Sequence, residues 1–448
     1  MKPMKVVVVG GGAAGMSAAS RVKRLRPEWE VVVLERTNFI SHAPCALPYY
    51  VEGLVKGEDK LSMFTPEEVR KRRKIDVRTR VEVVDIDHGA REARVLSPKG
   101  EEVVKYDRIV LATGAKPFVP DPKWLEVEGV FTLHHIMDGL TLRKAAEMAK
   151  EVIVVGTGFI GVEMAEAFKR LGKKVLMLEA LDQVMPVLDP DVARDVESYL
   201  RRAGIKVRKG EAVMEVYEKG GKPVAETSKG AYSADLILLS IGVRPDVELP
   251  LRAGAKLGET GAAWVDDHMW TGIEDLYAAG DNVEVKHLVT GKKTFIPLIP
   301  LAPAANKEGY VAGTNVAGFD AEFPGIVGAA ITKFCKLEIG TVGLNRRVAE
   351  KFGYEVKDVY ITHGTRAHYY PKGSWIKVKL LFTKDGSLLG GQVIGREGVW
   401  GRIAALSLAL QARMKLRDLF FADLPYAPPF SPVWDPLTVA ARVAFTRT

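Results

Sequence analysis

The chain has 448 residues, 47% of them apolar, which is too long for one hydrophobic core and ordinary for a globular protein, so two or three domains are expected. Basic residues outnumber acidic ones, 64 to 56, for a net charge of +8, and most of these charges belong on solvated faces. The clusters at 21–26 (RVKRLR) and 70–74 (RKRRK) suit an anionic small molecule, and the absence of interleaved stacking aromatics disfavours nucleic acid. Two cysteines, Cys45 and Cys335, exclude a disulfide framework and any paired metal-ligand spacing, and fit a reducing cytoplasm. Lys2 and Lys5 before an apolar run look like a secretory leader, but Gly10, Gly11 and Gly12 argue against one. No apolar run reaches the ~18 residues needed to cross a bilayer.

The pattern strand, glycine turn, helix, strand ending in a carboxylate occurs twice. KVVVVGGGAAG opens the first copy at Lys5, a helix is expected to about Arg26, and VVVLE ends at Glu35. After RIVLATGAKP, the prolines Pro117, Pro120 and Pro122 read as a linker. EVIVVGTGFIG opens the second copy at Glu151, its helix runs to about Leu171, and KVLMLE ends at Glu179. Continuous β-branched runs suit parallel strands buried on both faces. DLILLSIGVRP closes the second fold at Pro245, and DLYAAGD, Asp275 to Asp281, reads as a return to the first. From about Phe323 alternating strands such as KVKLLF, and an apolar helix near Arg402 to Met414, indicate a third domain. The expected fold is α/β: two Rossmann-like three-layer domains, 1–116 with 246–322 and 117–245, plus an α+β domain at 323–448.

Gly10, Gly12 and Gly15 form GxGxxG between strand and helix. One glycine permits the tight turn, one lets backbone approach a pyrophosphate, and one allows close helix packing. Glu35, 20 residues after Gly15, is placed to accept ribose hydroxyls. Gly156, Gly158 and Gly161 repeat the motif, with Glu179 after 18 residues, then Ala180 and Leu181 instead of arginine. A carboxylate there repels a 2′-phosphate, so NADH is expected over NADPH. Two such folds imply two dinucleotides, FAD in the first and a diffusing nicotinamide in the second.

With both fingerprints, LATGAKP, IGVRP and YAAGD, the sequence resembles the pyridine-nucleotide disulfide oxidoreductases over essentially its whole length. The resemblance implies FAD and NAD(P)H, and carries cofactor contacts onto Ala13, Ala14, Arg36, Thr113, Gly114, Phe159, Ile160, Gly242, Gly280, Asp281 and Ala302. Cys45 lies in SHAPCALPYYVEGL, where the flavin-binding half would place a loop beside the flavin. A helix beginning there, with nearby cations, is expected to favour a thiolate. Cys335 reads as a small buried apolar residue. Two-cysteine relatives space their pair five apart, and Tyr50 stands at that position. This leaves the single-cysteine subfamily: coenzyme A disulfide reductases, CoA-dependent sulfur or polysulfide reductases, NADH oxidases and NADH peroxidases. The GGGAAG loop lacks the peroxidases' histidine.

CALPYY and YAPPFSPVWDP, Tyr426 to Pro436, resemble the coenzyme A disulfide reductases. That resemblance implies coenzyme A contacts at Ser17, Arg21, Arg24, Ser41, Pro44, Arg73, Asn306 and Trp434, and a homodimer in which Tyr369 and Tyr426 reach the partner's redox cysteine. Asn306 and Trp434 replace other residue types, and RIAAL at Arg402 lacks an expected acidic residue. The implied chemistry is reduction of coenzyme A disulfide, polysulfide or CoA persulfide through a mixed disulfide on Cys45. An NADH oxidase cycling Cys45 through sulfenic acid, a ferredoxin or rubredoxin reductase, and a non-enzymatic FAD-binding protein remain as alternatives.

Overall fold

A computed structural model describes residues 3–294 and 302–446. Lys2 of the leader-like stretch lies outside the described residues. The valine runs form the central strands of two sheets, Lys5–Val9 and Glu151–Val155, and Val6 to Val9 and Val152 to Val155 are buried. Branched side chains fit a pleated surface, and helices on either face remove them from water.

In the first sheet Lys5–Val9 lies between Glu30–Glu35 and Arg108–Leu111, both parallel to it. Asp76–Thr79 extends one side, and Leu276–Ala278, from the DLYAAGD segment, extends the other. The second sheet has the order Lys206–Lys209, Lys174–Glu179, Glu151–Val155, Leu236–Leu239, Val130–Phe131, all parallel. The two glycine-turn helices, Ala13–Leu25 and Phe159–Arg170, end within a residue of where their sequence patterns stop.

Each fold also carries a three-stranded antiparallel sheet, at 82–105 and 213–233, that the apolar pattern did not reveal. A hairpin signal was present: Gly220 and Gly221, at φ 63° and 77°, form the two-residue turn between Val213–Lys219 and Lys222–Thr227. Pro117, read as linker, instead ends the short strand Ala115–Pro117, which pairs antiparallel with Val243–Pro245. The chain's two crossings between the folds are thereby bonded to each other.

The third unit is a five-stranded antiparallel sheet in the order Ala330–Phe334, Leu337–Gly343, Leu388–Gly395, Trp375–Phe382, Lys357–Gly364. Helices Val399–Gln411 and Pro436–Phe445 pack on it. The first starts three residues earlier than its apolar pattern indicated, because Gly398 turns into it at φ 77°. KVKLLF alternates only at its start, since Val378 to Phe382 are all buried. Lys379 is buried there because its ammonium reaches Asp191 at 2.6 Å and Asp358 at 3.1 Å, joining the second fold to the third sheet.

Candidate active site

The duplication extends to individual hydrogen bonds. Glu35 accepts from the Gly11 N–H and the Thr37 N–H, each at 2.8 Å, and Glu179 accepts from the Thr157 N–H and the Leu181 N–H, each at 3.0 Å. Both carboxylates, expected to face ribose, also lock the loop beside them. Gly10 and Gly156 adopt φ 103° and 94°, and an added Cβ would strike the Ala112 and Ser240 carbonyl oxygens at 2.2 and 2.5 Å. Gly15 and Gly161 pack on the Gly10 and Gly156 carbonyls, where a Cβ would stand 1.9 and 2.2 Å away. At Gly12 and Gly158, the caps of the two helices, an added Cβ would meet nothing within 4 Å. These positions leave room for phosphates against the helix N-termini.

One cavity of about 1590 Å³ connects both glycine turns with Cys45. Of the cofactor residues singled out in the sequence, Gly10, Gly12, Ala13, Ala14, Glu35, Arg36, Thr113, Gly114, Gly280, Asp281 and Ala302 line it from the first fold. Gly156, Gly158, Phe159, Ile160, Glu179 and Gly242 line it from the second. Gly15 and Gly161 sit behind the turns, as their packing role requires. The Asp281 carboxylate has no hydrogen-bond partner among the described residues, and burial pushes its pKa up to about 6. Such a group is an acceptor for hydroxyls of a bound molecule.

Cys45 occupies a single 3-10 turn, Pro44–Ala46, ahead of the short helix Leu47–Glu52, and its side chain opens on the cavity. The helix expected after Cys45 is present, but among the described residues the shift of the thiol runs against a thiolate. Burial pushes the thiol pKa up, the Glu163 carboxylate adds to the rise, and the opposing backbone hydrogen bond does not cancel them. The neighbouring imidazoles supply no cation: burial, with His135 and His134 beside it, lowers His42 to about 4, and burial also lowers His134 and His135. Glu163 was not singled out in the sequence. It stands two residues after Gly161, as Ser17 stands two after Gly15, so the duplication contained the signal. Burial raises its pKa, and Thr332 donates to it at 2.7 Å.

Ser17, Arg21, Arg24, Ser41, Pro44, Arg73 and Asn306 line the same cavity. The Ser17 hydroxyl donates to the Asn306 carbonyl at 2.7 Å, Arg21 donates to Thr314 at 2.9 Å, and Arg73 donates to Ser20 at 2.8 Å. Arg21 also lies over the Tyr310 ring at 4.2 Å and Arg73 over Phe64 at 4.3 Å. These aromatic rests escaped the sequence reading because they are distant in the chain. They hold two guanidinium groups in place at the cavity wall, a geometry suited to phosphate.

The remaining candidates lie on the third unit. Tyr369, Tyr426 and Trp434 do not line the cavity; they sit on the third unit, 64%, 44% and 49% exposed. Cys335 is half-buried rather than buried, at φ 55° in the hairpin turn after Ala330–Phe334, where its N–H donates to Glu166 at 2.8 Å. Arg402 of RIAAL donates to Asp435 at 2.7 Å and so anchors the YAPPFSPVWDP segment.

Two dinucleotide folds that share one cavity with a thiol between them define an oxidoreductase that couples a bound dinucleotide to sulfur. The family model described as pyridine nucleotide-disulphide oxidoreductase matches residues 4–309, and that of the same family's dimerisation domain matches 329–437. The chain belongs to this family. It is 44% identical to an NAD(P)H coenzyme A polysulfide/persulfide reductase of Pyrococcus horikoshii, over 98% of both chains. It is 38% identical to an NADH oxidase of Methanocaldococcus jannaschii, over 99% of both. The structure of an NAD-dependent persulfide reductase from A. fulgidus superposes with a TM-score of 0.96 at 38% identity, covering 99% of this chain and 83% of that one. The open caps at Gly12 and Gly158 and the unpartnered Asp281 fit the FAD and NAD(P)H that the family uses. Among the described residues no helix is long and apolar enough to cross a membrane.

Proposed function

We propose that the protein is an FAD-dependent NAD(P)H oxidoreductase that reduces coenzyme A disulfide, CoA persulfide or polysulfide through a Cys45–S–S–CoA mixed disulfide. The observation that carries this reading is the single cavity that joins Cys45 to both glycine turns and to Arg21, Arg24 and Arg73. FAD, when bound, relays two electrons from the nicotinamide to sulfur. Gly12 and Gly158 admit the two pyrophosphates, Glu35 and Glu179 hold the loops at the ribose ends, and Asp281 accepts from hydroxyls.

On the sulfur side, the Cys45 thiolate attacks one sulfur of a coenzyme A disulfide. The S–S bond breaks, one CoA thiolate leaves and takes a proton, and Cys45 holds the other CoA as a mixed disulfide. Two electrons and one proton then cleave that bond, releasing the second CoA as thiol and Cys45 as thiolate. Arg21 and Arg73, braced on Tyr310 and Phe64, orient the CoA phosphates so that its sulfur meets Cys45. The raised thiol pKa makes this anchoring more important, because little thiolate is present without a partner that stabilises it.

The dimerisation-domain match and the exposed Tyr369, Tyr426 and Trp434 support a homodimer in which these residues complete the partner's site. Sheet membership supports a discontinuous first domain, 1–116 with 246–322, around a second at 117–245, followed by 323–448. Two unpaired cysteines support a cytoplasmic setting. Glu179, followed by Ala180 and Leu181, supports a preference for NADH.

The rival reading is the NADH oxidase, supported by the relative of that name. Anaerobic NADH oxidation with coenzyme A disulfide, polysulfide or no acceptor, set beside the stoichiometry of NADH to oxygen in air, separates the two. Acceptor-dependent anaerobic turnover faster than the aerobic rate supports the reductase. Stoichiometric oxygen consumption with no anaerobic sulfur turnover overturns it.

A further inference from the structure

The structure assigns a second determinant of dinucleotide choice: we infer that Glu211, beside Glu179, fits the adenosine end of the second site to an unphosphorylated ribose. This rests on the reading that the second fold holds the nicotinamide dinucleotide. Adjacent parallel strands pair Glu179 with Lys209, and Glu211 follows two residues later. The Glu211 N–H donates to the Glu179 carbonyl at 3.0 Å, and Gly210 donates to Leu181 at 3.0 Å. The first fold has the same two bonds, Val81 to Glu35 and Arg80 to Thr37, both at 2.9 Å. Glu211 therefore occupies the place that the FAD fold gives to Val81, and both residues line the cavity. An apolar side chain in one copy and a carboxylate in the other mark the position as specific to its ligand.

The Glu211 side chain is 4% exposed. Its Oε2 accepts from the Tyr232 hydroxyl at 2.8 Å and from Thr227 at 3.4 Å, which fixes the carboxylate while leaving Oε1 without a hydrogen-bond partner among the described residues. Among the described residues that line the cavity between Val155 and Val243, Glu163, Glu179 and Glu211 are acidic, and none is Lys, Arg or His. The nearby cations Arg208, Lys209 and Lys229 do not line the cavity; Lys209 pairs with Glu197 at 2.7 Å, and Lys229 donates to the Lys209 carbonyl at 3.4 Å. A 2′-phosphate at this end would thus face two carboxylates with no cation on the wall. Neutralising Glu179 alone would leave one of them.

The test is anaerobic bleaching of the flavin in the holoenzyme by NADH and by NADPH, which needs no sulfur acceptor and so is independent of the substrate assignment. Rates are compared for wild type, Glu211→Gln, Glu211→Asp, Glu179→Gln and the double Glu179→Gln, Glu211→Gln variant. Glu211→Gln is expected to raise the NADPH-to-NADH ratio of kcat/KM by about five-fold, the scale of one removed charge repulsion, and the double variant to exceed either single one. Glu211→Asp, which keeps the charge, is expected to stay near the wild-type ratio. A Glu211→Gln ratio within two-fold of its parent in both backgrounds overturns the inference, as does an equal shift by Glu211→Asp. A shift by Glu211→Gln without one by Glu179→Gln supports Glu211 while removing the reading of Glu179.

Discussion

The hydroxyl of Tyr369 lies 3.0 Å from that of Tyr426, 57 positions further along the chain. The contact raises the Tyr426 pKa, so the phenol stays protonated and can donate a hydrogen bond. Both residues are exposed on the third unit and away from their own chain's cavity. Proline stiffness around Tyr426 and the Arg402–Asp435 pair hold the segment in place.

If these phenols serve the partner's Cys45, mixing Cys45→Ser subunits with Tyr369→Phe, Tyr426→Phe subunits places both lesions in one site of each heterodimer and none in the other. Heterodimers are then expected to regain about half the wild-type activity per site, given subunit exchange. Wild-type turnover of coenzyme A disulfide by the double tyrosine variant alone would leave the pair a packing role only.

Cys45→Ser should retain FAD and still bleach with NADH, because the glycine turns lie elsewhere in the cavity, while losing at least about a thousand-fold in coenzyme A disulfide turnover. Stopped-flow flavin reduction beside a thiol-release assay checks both halves. Cys335 cannot substitute, since it does not line the cavity that holds Cys45.

Cys45 alkylation should rise with pH past the ordinary thiol range, since a raised pKa leaves less thiolate at any lower pH. Glu163→Gln removes the largest charge contribution to that shift, so its alkylation profile should move to lower pH and its rate at neutral pH should increase. An unchanged profile would show that Glu163 does not act on the thiol.

Glu308 is fully buried under the Gly280 loop, and its carboxyl accepts from the Gly280 N–H at 2.7 Å. Burial pushes its pKa up to about 8, and Asp281 adds to the rise. The unfolded chain ionises this group near 4.5. The folded protein therefore holds the extra proton between those values, and its contribution to stability falls as pH rises from about 4.5 to about 8. Glu308→Gln keeps the acceptor and removes the titration, so the thermal midpoint of the FAD-free protein should drop less between pH 5 and 8 than in wild type. Parallel midpoint curves would contradict the assignment.

Glu179→Gln should narrow the NADH preference by roughly ten-fold, about 1.4 kcal/mol, with FAD content unchanged. A wild-type preference for NADPH would show that the strand-end carboxylate does not govern the choice.

The local part of this architecture was legible in the sequence because it is written in neighbouring residues. Glycine turns, valine strands and strand-end glutamates each need only a dozen consecutive positions, and the two copies check one another. The antiparallel sheets at 82–105 and 213–233 were missed because their strands are half-exposed and their apolar residues sparse. The direction in which the protein shifts the Cys45 pKa was not legible for a different reason: burial and Glu163, more than a hundred residues away, outweigh the local turn. Tyr310 beside Arg21 and Phe64 beside Arg73 depend on chain crossings that no linear pattern records. Glu211 became visible only when hydrogen bonds aligned it with Val81.

The central claim is that one thiol, Cys45, carries coenzyme A during turnover. Acid-quenched protein from an anaerobic reaction with coenzyme A disulfide, digested without reductant, allows the Cys45 peptide to be weighed directly. The account predicts one coenzyme A on that peptide, lost on adding NADH and absent in Cys45→Ser. Consumption of coenzyme A disulfide at the normal rate with the Cys45 peptide unmodified throughout would contradict it.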